Sequence, residues 1–431
     1  MKDAPDDVSD GEWMSIQTVL KAHETSAESL ARGVNLDQLD ISDIRRFSEG
    51  SHIPLFARLR KEHPIHFCAD SPFGPYWSIT RAADIKAINA DHRRFSSRHN
   101  VIIGDIPESF RFPAFMVSDP PDHGKWRRVV APGFSKTALA DLEEGCRRHI
   151  GSLLAGLPLG EPIDWVQDVS AKLTPWMIGA LFDLDEQQVA RLIDWSNLLV
   201  DFEAESPTNA RFQSRENQLA SFDAFLRHAS QERRCNLNAT DLLSLLSQGL
   251  HGEELLNEIH HFMGTVSLIV GAGETTRSAA SAIVVAINRH PETWEQLREE
   301  PGFVPNAVQE VIRWQTPLAH MRRTAREDIE FHGAHIRRGD RVVLWYCSGN
   351  RDETLFQNGD EFDIRRVNAR RHLAYGHGIH RCIGRHAAEM QLRVLLTEML
   401  QRFQRVSLSE APQRTASNYF AGYEKAHVVV A

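Results

Sequence analysis

The sequence predicts a mainly α-helical protein with a small β region. From about residue 135 to residue 320, apolar residues recur three and four positions apart, which is the spacing of amphipathic helices. Residues 64–81 and 322–350 instead carry short runs of strand-forming residues separated by turn residues. Because no Gly/Ser-rich or Pro-rich linker divides the chain, we expect one folded domain over residues 51–431 after a polar N-terminal leader, residues 1–50.

The predicted elements follow in chain order. Residues 64–81 favour a β-hairpin, and Glu253–Arg289 favour an unusually long helix of roughly 50 Å. A helix over 304–315 should end before Pro317, because proline disfavours helical backbone in the residue that precedes it. The remaining predicted elements are short strands over 322–350, a helix over about 384–402 and a strand-forming tail over 415–431.

Composition limits the functional class. The formal net charge is −9 and no basic tail is present, which argues against a nucleic-acid binder. No run reaches the roughly 18 apolar residues of a membrane helix, and the acidic N-terminus MKDAPDDVSDGEW lacks the apolar core of a signal peptide. The five cysteines are widely spaced without a CxxC motif, so we expect a cytoplasmic protein without disulfides or a membrane anchor.

The segment AYGHGIHRCIGRHAAEMQLRVLL is the most informative in the chain. Gly376, Gly378 and Gly384 bracket Cys382, and glycines let the backbone approach a flat ligand closely. The helix predicted after the cysteine should lower the pKa of its thiol, so we expect a metal-binding thiolate. A purely structural cysteine is one alternative. Another is a zinc site using nearby histidines, namely His372, His377, His380 and His386.

The long predicted helix contains the segment IVGAGETTRSA at its centre. Gly271 and Gly273 each cost about 1 kcal/mol relative to alanine in a helix, so a local widening beside a ligand would explain them. Glu274 and Thr275 follow at once, and a carboxylate and a hydroxyl beside a helix groove can relay protons to a bound oxidant. Close packing against another helix is the alternative explanation for the glycines.

Two further groups of polar residues point to buried charge. Glu310 and Arg313 are three residues apart on one helical face, and the segment EFDIRR adds Arg366. If these three are buried they need one another, because an unpaired buried charge is costly. A second group of cationic or donor side chains suits a ligand with two carboxylates, and its members are His123, Arg127, Arg323 and His380.

Together and in this order, DPPDHGKWRR, GAGETT, the Glu310–Arg313 pair, FDIRR and the cysteine loop resemble the cytochrome P450 superfamily from about residue 50 onward. The resemblance implies a triangular helical prism with a long central helix over haem b, iron protoporphyrin IX. It makes residues 51–431 a single haem-thiolate monooxygenase domain. The implied reaction combines RH, O2, two electrons and two protons to give ROH and water.

The resemblance also implies roles for individual residues. Cys382 matches the axial thiolate ligand of the haem iron, and Glu274 and Thr275 match the acid–alcohol pair that supplies protons for dioxygen activation. The positions that bind the haem propionates are matched by His123, Arg127, Arg323 and His380. The structural triad near the cysteine loop is matched by Glu310, Arg313 and Arg366.

Two residues of the cysteine loop depart from the usual family pattern. Tyr375 stands where phenylalanine is usual, and His377 lies between the two glycines. We expect the Tyr375 hydroxyl to form a hydrogen bond near the Cys382 sulfur and thereby to alter the redox potential of the haem iron.

A narrower resemblance concerns the substrate. The segments SPFGPYWSITR, RWQTPLAHMRRTA, VVLWYCSGNRDE, NARRHL, GIHRCIG and AEMQLR look like the bacterial soluble alkane and fatty-acid terminal hydroxylases. This implies an apolar linear substrate, a medium-chain n-alkane or fatty acid, hydroxylated at its terminal (omega) carbon. The segment GAGETTRSA departs from the Asn-Asp pair of that subfamily, so a terpene or steroid hydroxylase is the alternative. The candidate pocket residues by alignment are Val270, Gly271, Leu318, Ala319, Met321 and Phe420.

Electrons are expected from another protein, because the chain shows no flavin domain or iron–sulfur cysteine cluster. The resemblance implies a [2Fe–2S] ferredoxin with an NAD(P)H-dependent ferredoxin reductase. A basic docking patch is predicted around the cysteine loop from Arg370, Arg371, Arg381 and Arg385. A non-catalytic haem-thiolate sensor is the alternative of another class, and the proton-delivery pair argues against it.

Overall fold

The computed structural model describes residues 18, 21–22, 25–98, 100–106, 108, 111–198, 210–233, 236, 239–249 and 259–431, without the side chains of residues 210–215 and 249. Helices account for 57% of the residues and strands for 12%, which confirms the predicted mainly α-helical fold with a small β region.

The helices carry most of the chain and are labelled α1 to α15 in chain order. They are Ile44–Ser48, His52–Glu62, Ala82–Ala90, Asp122–Val130, Lys136–Ala155, Ala171–Phe182, Glu186–Leu198, Ala210–Arg233, Leu242–Gly249, Ile259–Gly271, Gly273–Arg289, Glu292–Glu299, Val304–Gln315, Tyr346–Gly349 and Arg385–Arg402.

The strands, labelled β1 to β12, are short. They are Ile65–Cys68, Tyr76–Ile79, Phe95–Ser96, Pro162–Asp164, His320–Ala325, Ile329–Phe331, Ala334–Ile336, Arg341–Trp345, Val406–Leu408, Gln413–Arg414, Tyr423–Lys425 and His427–Val430. A five-stranded sheet has the order β1-β2-β8-β5-β3, and a three-stranded sheet has the order β4-β12-β9. The β1–β2 pair is antiparallel with Ile65 opposite Ile79, which confirms the hairpin predicted over residues 64–81.

The long predicted helix is divided in two. The first segment, α10, ends at Gly271, and α11 begins at Gly273, so the interruption falls at Ala272. The predicted end at Arg289 is confirmed, while residues 253–258 lie outside the described residues.

The helix predicted over residues 304–315 is confirmed with those bounds. A proline in its first turn suits the unpaired N–H positions of a helix start. Thr316 adopts a left-handed φ of 47° directly after the helix, so the chain turns away before Pro317.

Apolar side chains form three clusters. The main cluster packs α5, α11, α13 and α15 around residues such as Cys146, Ile283, Val311 and Leu395. The sheet cluster includes Ile79, Ile85, Val342 and Leu344. The leader cluster includes Leu36, Ile41, Phe47, Phe56 and Trp345.

The leader cluster combines residues from both sides of position 50. Ile41 is fully buried beside Trp345 of the sheet, so this part of the leader packs on the body. The domain bounds themselves stay a prediction.

Four cysteines of the described residues are free thiols: Cys68, Cys146, Cys347 and Cys382. Cys235 lies outside the described residues. Within the described ranges, no helix has the length and apolarity needed to cross a bilayer.

Candidate active site

The cysteine loop takes a conformation that only glycine accommodates easily. Gly376 and Gly378 have φ angles of +68° and +71°, in the left-handed region. A Cβ on Gly378 would lie 2.5 Å from the carbonyl oxygen of Asn89, so α3 packs directly against the loop. The Cys382 N–H donates to the Tyr375 carbonyl at 2.7 Å, and α15 begins three residues later at Arg385. The loop therefore holds Cys382 at the start of a helix, as predicted.

The pKa of Cys382 corrects one expectation. Burial raises this pKa, and hydrogen bonds from the backbone N–H groups of Gly384 and Arg385, with the charges of Arg127 and Arg385, only partly oppose it. The expectation that the helix start would lower the pKa is wrong because desolvation of the thiolate is the larger effect. A coordinating metal deprotonates a thiol directly, so metal binding does not depend on that lowering.

Two predicted side chains of α4 face the cysteine loop, and a third, His380, belongs to the loop itself. His123 and Arg127 lie four residues apart on this helix and face the loop together. The ring of His123 meets the ring of His380 at 4.4 Å between centroids. Arg127 donates a hydrogen bond to the Arg381 carbonyl, and its charge acts on the Cys382 thiol.

Two adjacent arginines of β5 have different environments. Arg322 pairs with Asp105 at 2.7 Å. Arg323 is 3% exposed and donates to the Asn89 side chain at 2.9 Å and to the Arg322 carbonyl at 2.7 Å. No carboxylate of the described residues lies within ion-pair distance of Arg323, so this buried cation is left for a ligand.

The same neighbourhood contains buried polar atoms without partners. His123 Nε2 and both ring nitrogens of His380 have no hydrogen-bond partner among the described residues. Burial and nearby arginine charges lower the pKa of His123 to about 4 and of His380 to about 2, so both rings are neutral donors. Unsatisfied buried groups and unpaired buried cations are costly. The residues present therefore fit haem, whose two propionates would accept from them.

The two glycines of the interrupted helix serve different purposes. A Cβ on Gly271 would meet nothing within 4 Å. A Cβ on Gly273 would lie 2.1 Å from Cγ2 of Thr174, whose hydroxyl donates to the Gly273 carbonyl at 3.1 Å. Close packing, one of the two explanations offered for these residues, therefore holds at Gly273, while Gly271 borders open space.

Glu274 and Thr275 follow this interruption at the start of α11. Glu274 is 35% exposed and pairs with Arg277 at 3.1 Å. Burial raises its pKa, and the charge of Arg277 opposes that rise. The Thr275 hydroxyl donates to the Ala272 carbonyl at 2.8 Å, inside the interruption. The Glu274 carboxyl and the Thr275 hydroxyl are therefore neighbours at the interruption of the helix.

The predicted ion triad is buried and fully bonded. Arg313 contacts both Glu310 oxygens at 2.7 Å, and Arg366 contacts Glu310 at 2.9 Å. All three are less than 9% exposed. Both arginines also donate to the Glu361 carbonyl, so the triad holds the loop 357–361 against α13.

The six candidate pocket residues do not form one cluster; they are Val270, Gly271, Leu318, Ala319, Met321 and Phe420. Leu318 and Phe420 are joined by an isolated antiparallel bridge. Val270 belongs to the main cluster, and Met321 packs against the sheet cluster. Ala319 is fully buried in the leader cluster. The structure therefore pairs the backbones of Leu318 and Phe420.

Two of the four histidines of the zinc alternative, His372 and His386, have other partners. His372 Nε2 donates to Gln309 at 3.3 Å, and His386 lies 3.6 Å from Glu389. Among the described residues no three His, Cys, Asp or Glu side chains are grouped to hold a metal.

The unusual Tyr375 directs its hydroxyl to the Arg385 carbonyl, at 3.5 Å, rather than to the sulfur. His377, the other departure, is exposed.

Sequence patterns did not point to two residues that shape the site. Asn89 orients Arg323 and also lies against Gly378 through its backbone carbonyl, and Thr174 donates to the Gly273 carbonyl at the interruption of the helix. Asn89 sits on an ordinary amphipathic helix and Thr174 precedes a proline in another, so no local signal marks either one.

Comparisons with known proteins cover nearly the whole chain. The family model described as Cytochrome P450 matches residues 55–419. Linalool 8-monooxygenase of Pseudomonas putida is 33% identical over 87% of this chain and 95% of that protein. Methyl-branched lipid omega-hydroxylase of Mycobacterium tuberculosis is 31% identical over 90% of this chain and 93% of that protein. The solved structure of Cytochrome P450-153 from Novosphingobium aromaticivorans has a TM-score of 0.82 and 37% identity, covering 91% of this chain and 99% of that chain.

Proposed function

The chain belongs to the cytochrome P450 family, and from that premise we propose that it hydroxylates the terminal (omega) carbon of medium-chain n-alkanes or fatty acids with electrons from a ferredoxin. It is a haem b-dependent monooxygenase. The likeness to a methyl-branched lipid omega-hydroxylase supports the substrate class.

One observation carries the assignment of the site. The buried Arg323, the half-buried Arg127 and two neutral histidines lie around the Cys382 loop, and ring nitrogens of both histidines lack hydrogen-bond partners among the described residues. In this proposal Cys382 would bind the haem iron through its sulfur, and the propionates would be held by His123, Arg127, Arg323 and His380. Bound there, haem supplies the dioxygen activation that inserts one oxygen atom into a C–H bond.

Glu274 and Thr275 hold the protons that this reaction consumes. Burial raises the pKa of Glu274, which favours the protonated form that can donate. The Thr275 hydroxyl is held against the Ala272 carbonyl, beside that carboxyl. Replacing Glu274 by Gln should lower product per NADH consumed by about tenfold, with peroxide as the by-product. Unchanged coupling in this variant and in Thr275→Ala would contradict the assignment.

Selectivity for a methyl end must come from the shape of the pocket, because terminal C–H bonds are stronger than inner ones. Leu318 and Phe420, whose backbones are paired by an isolated bridge, are proposed as apolar walls. The experiment is a product analysis over n-alkanes and fatty acids of increasing length with surrogate ferredoxin and reductase. Omega-hydroxylated products from medium chains support the proposal.

The terpene alternative is favoured by one observation, the 33% identity to linalool 8-monooxygenase. Linalool and a steroid therefore belong in the same substrate panel. Turnover of either at a higher kcat/KM than every linear substrate would replace the proposed substrate class while leaving the monooxygenase assignment intact.

A basic patch beside the cysteine loop supports an acidic electron donor. Arg370, Arg371 and Arg381 are exposed there. The pKa of Lys86 is lowered by burial and then by the charge of Arg371. The pKa of the neighbouring His377 is lowered by burial and then by Lys86 and Arg381. Positive charge is therefore concentrated at this surface despite the net charge of −9.

Charge reversal tests the docking surface. Arg385 donates to the Cys382 carbonyl at 3.3 Å, so changing it would also disturb the loop. Arg371→Glu is the cleaner variant, and it should slow reduction by ferredoxin about tenfold at low salt and weaken the dependence of the rate on ionic strength. Arg338→Glu, an exposed arginine in the turn after β7, is the control. Equal reduction rates in both variants would contradict docking at this patch.

A further inference from the structure

The imidazole of His320, the first residue of β5, is fully buried and engaged at both nitrogens. The Ile103 N–H lies 3.1 Å from Nε2, and the Asn418 carbonyl lies 2.8 Å from Nδ1. A backbone N–H can only donate and a carbonyl can only accept, so Nε2 is the acceptor and Nδ1 carries the proton. The two partners therefore select one neutral tautomer that bridges segments far apart in the sequence.

The first of these segments is the loop 100–105. His320 accepts from Ile103, and Arg322 pairs with Asp105 at 2.7 Å. Alternate residues of a strand share a face, so His320 and Arg322 fasten this loop from the same side of β5.

The second segment is the turn 417–421. Its Phe420 bridges to Leu318, the other proposed wall of the pocket. Its Tyr419 packs edge-on against the bridging imidazole at 5.2 Å between centroids. The charge of Arg323 acts on the Tyr419 hydroxyl, so this turn lies beside the proposed propionate site.

We propose that His320 is a positioning residue that sets the separation between the loop 100–105 and the turn 417–421, and thereby the width of the substrate pocket. The proposal rests on the proposed terminal hydroxylation, because favouring a methyl end requires pocket walls that do not spread. His320 is not proposed to touch the substrate, because both of its ring nitrogens form hydrogen bonds with backbone groups.

Three substitutions separate the two links. His320→Phe keeps a ring and removes both hydrogen bonds. His320→Asn keeps an amide nitrogen near the position of Nδ1, so it retains the link to Asn418 and loses the link to Ile103. His320→Gln places an amide oxygen near the position of Nε2, so it retains only the link to Ile103.

Hydrogen exchange of the haem-loaded enzyme measures the links directly. His320→Phe should speed exchange about tenfold in peptides covering 100–106 and 415–421. The Asn variant should loosen only the first peptide and the Gln variant only the second. Unchanged exchange in His320→Phe, or loosening of the same peptide by both amide variants, would overturn the proposal.

His66 provides a matched control, because it is also a buried histidine and bonds the Leu36 carbonyl at 2.7 Å. It lies on β1, at the other edge of the sheet from the loop. His66→Phe should leave both peptides unchanged, and loosening of both by this variant would attribute the effect to any lost buried imidazole and overturn the proposal.

Product analysis tests the consequence for the pocket. In His320→Phe with an intact carbon monoxide difference spectrum, the ratio of terminal to inner hydroxylation should fall about fivefold. If hydrogen exchange is faster in His320→Phe but the ratio of terminal to inner hydroxylation is unchanged, His320 does not set the width of the pocket and the proposal is overturned. If the parent enzyme makes no terminal product, the proposed function fails, and the exchange result alone decides whether His320 joins the two segments.

Discussion

His380 is a single residue whose environment makes sense only with a ligand. Both of its ring nitrogens are buried without partners among the described residues, and nearby Arg127 and Arg323 help keep the ring neutral. A propionate that accepts from this ring gains a charge-assisted hydrogen bond. His380→Phe should therefore speed haem transfer to apomyoglobin about tenfold.

His377 supplies the control for that prediction because it belongs to the same loop and is exposed. His377→Phe should release haem at the parental rate. Equal rates for the His380 and His377 variants would show that His380 does not hold the haem.

At the scale of elements, the Glu310 carboxylate is the anion that joins α13 to the loop carrying Arg366. Glu310→Gln leaves two buried guanidinium groups without a charge partner. The free energy of unfolding should fall by about 3–5 kcal/mol, as for other broken buried pairs. Urea unfolding of the haem-loaded protein measures the change.

Glu300 allows the same chemical change at an exposed pair. It pairs with Arg365, and both side chains are about half exposed. Glu300→Gln should cost less than about 1 kcal/mol, because solvent screens such pairs. A similar fall in the free energy of unfolding for Glu310→Gln and Glu300→Gln would mean that burial adds little to the strength of the triad.

The interrupted helix gives a second prediction at this scale. Gly273→Ala places a methyl group 2.1 Å from Cγ2 of Thr174, so it should lower the urea midpoint and the coupling of NADH use to product. Adding Thr174→Ser removes that methyl group and keeps the hydroxyl that bonds the Gly273 carbonyl. The double variant should recover most of both losses.

Gly271→Ala is the comparison, since its new methyl group meets nothing within 4 Å. It should preserve or raise stability, by up to about 1 kcal/mol from helix propensity. The contact with Thr174 does not shape the interruption if Gly273→Ala has the same urea midpoint and coupling as Gly271→Ala. The same conclusion follows if adding Thr174→Ser restores neither quantity.

For the whole molecule, buried neutral histidines predict acid sensitivity. Burial lowers the pKa of His52 and of His372 to about 3, and of His320 to about 4. The same side chains titrate near pH 6.5 in an unfolded chain. Between pH 6.5 and about 4 the unfolded state therefore binds more protons, so the free energy of unfolding falls as the pH is lowered.

Urea midpoints at pH 7.5, 6.0 and 5.0 check this sign. The midpoint should be nearly constant above about pH 6.5 and decline below it. His52→Phe, which removes one of these groups, should show a shallower decline. A midpoint that rises between pH 6.0 and 5.0 would contradict the prediction.

Local patterns were sufficient wherever backbone chemistry decides the structure. The bounds of α13 follow from its apolar spacing and its flanking prolines, and the hairpin over residues 64–81 follows from strand and turn residues. For the long helix over 253–289 the sequence left local widening and close packing open at Gly271 and Gly273, because the contact that distinguishes them comes from another helix. The pKa of Cys382 was misjudged because burial cannot be read from the residues beside it.

The amino-acid sequence was enough to assign the family and to predict the cysteine loop, the ion triad and a candidate proton-delivery pair. The cysteine loop and the Glu274–Thr275 pair are contiguous motifs, and the triad joins the Glu310–Arg313 pair to Arg366 of the segment EFDIRR. The folded structure was needed to see that Arg322 pairs with Asp105 and that His320 joins two distant segments. It was also needed to see that Arg323 has no ion-pair partner in the part of the chain that the structure describes. The physical reason is that burial and the partners of buried polar groups depend on which parts of the chain meet in the fold.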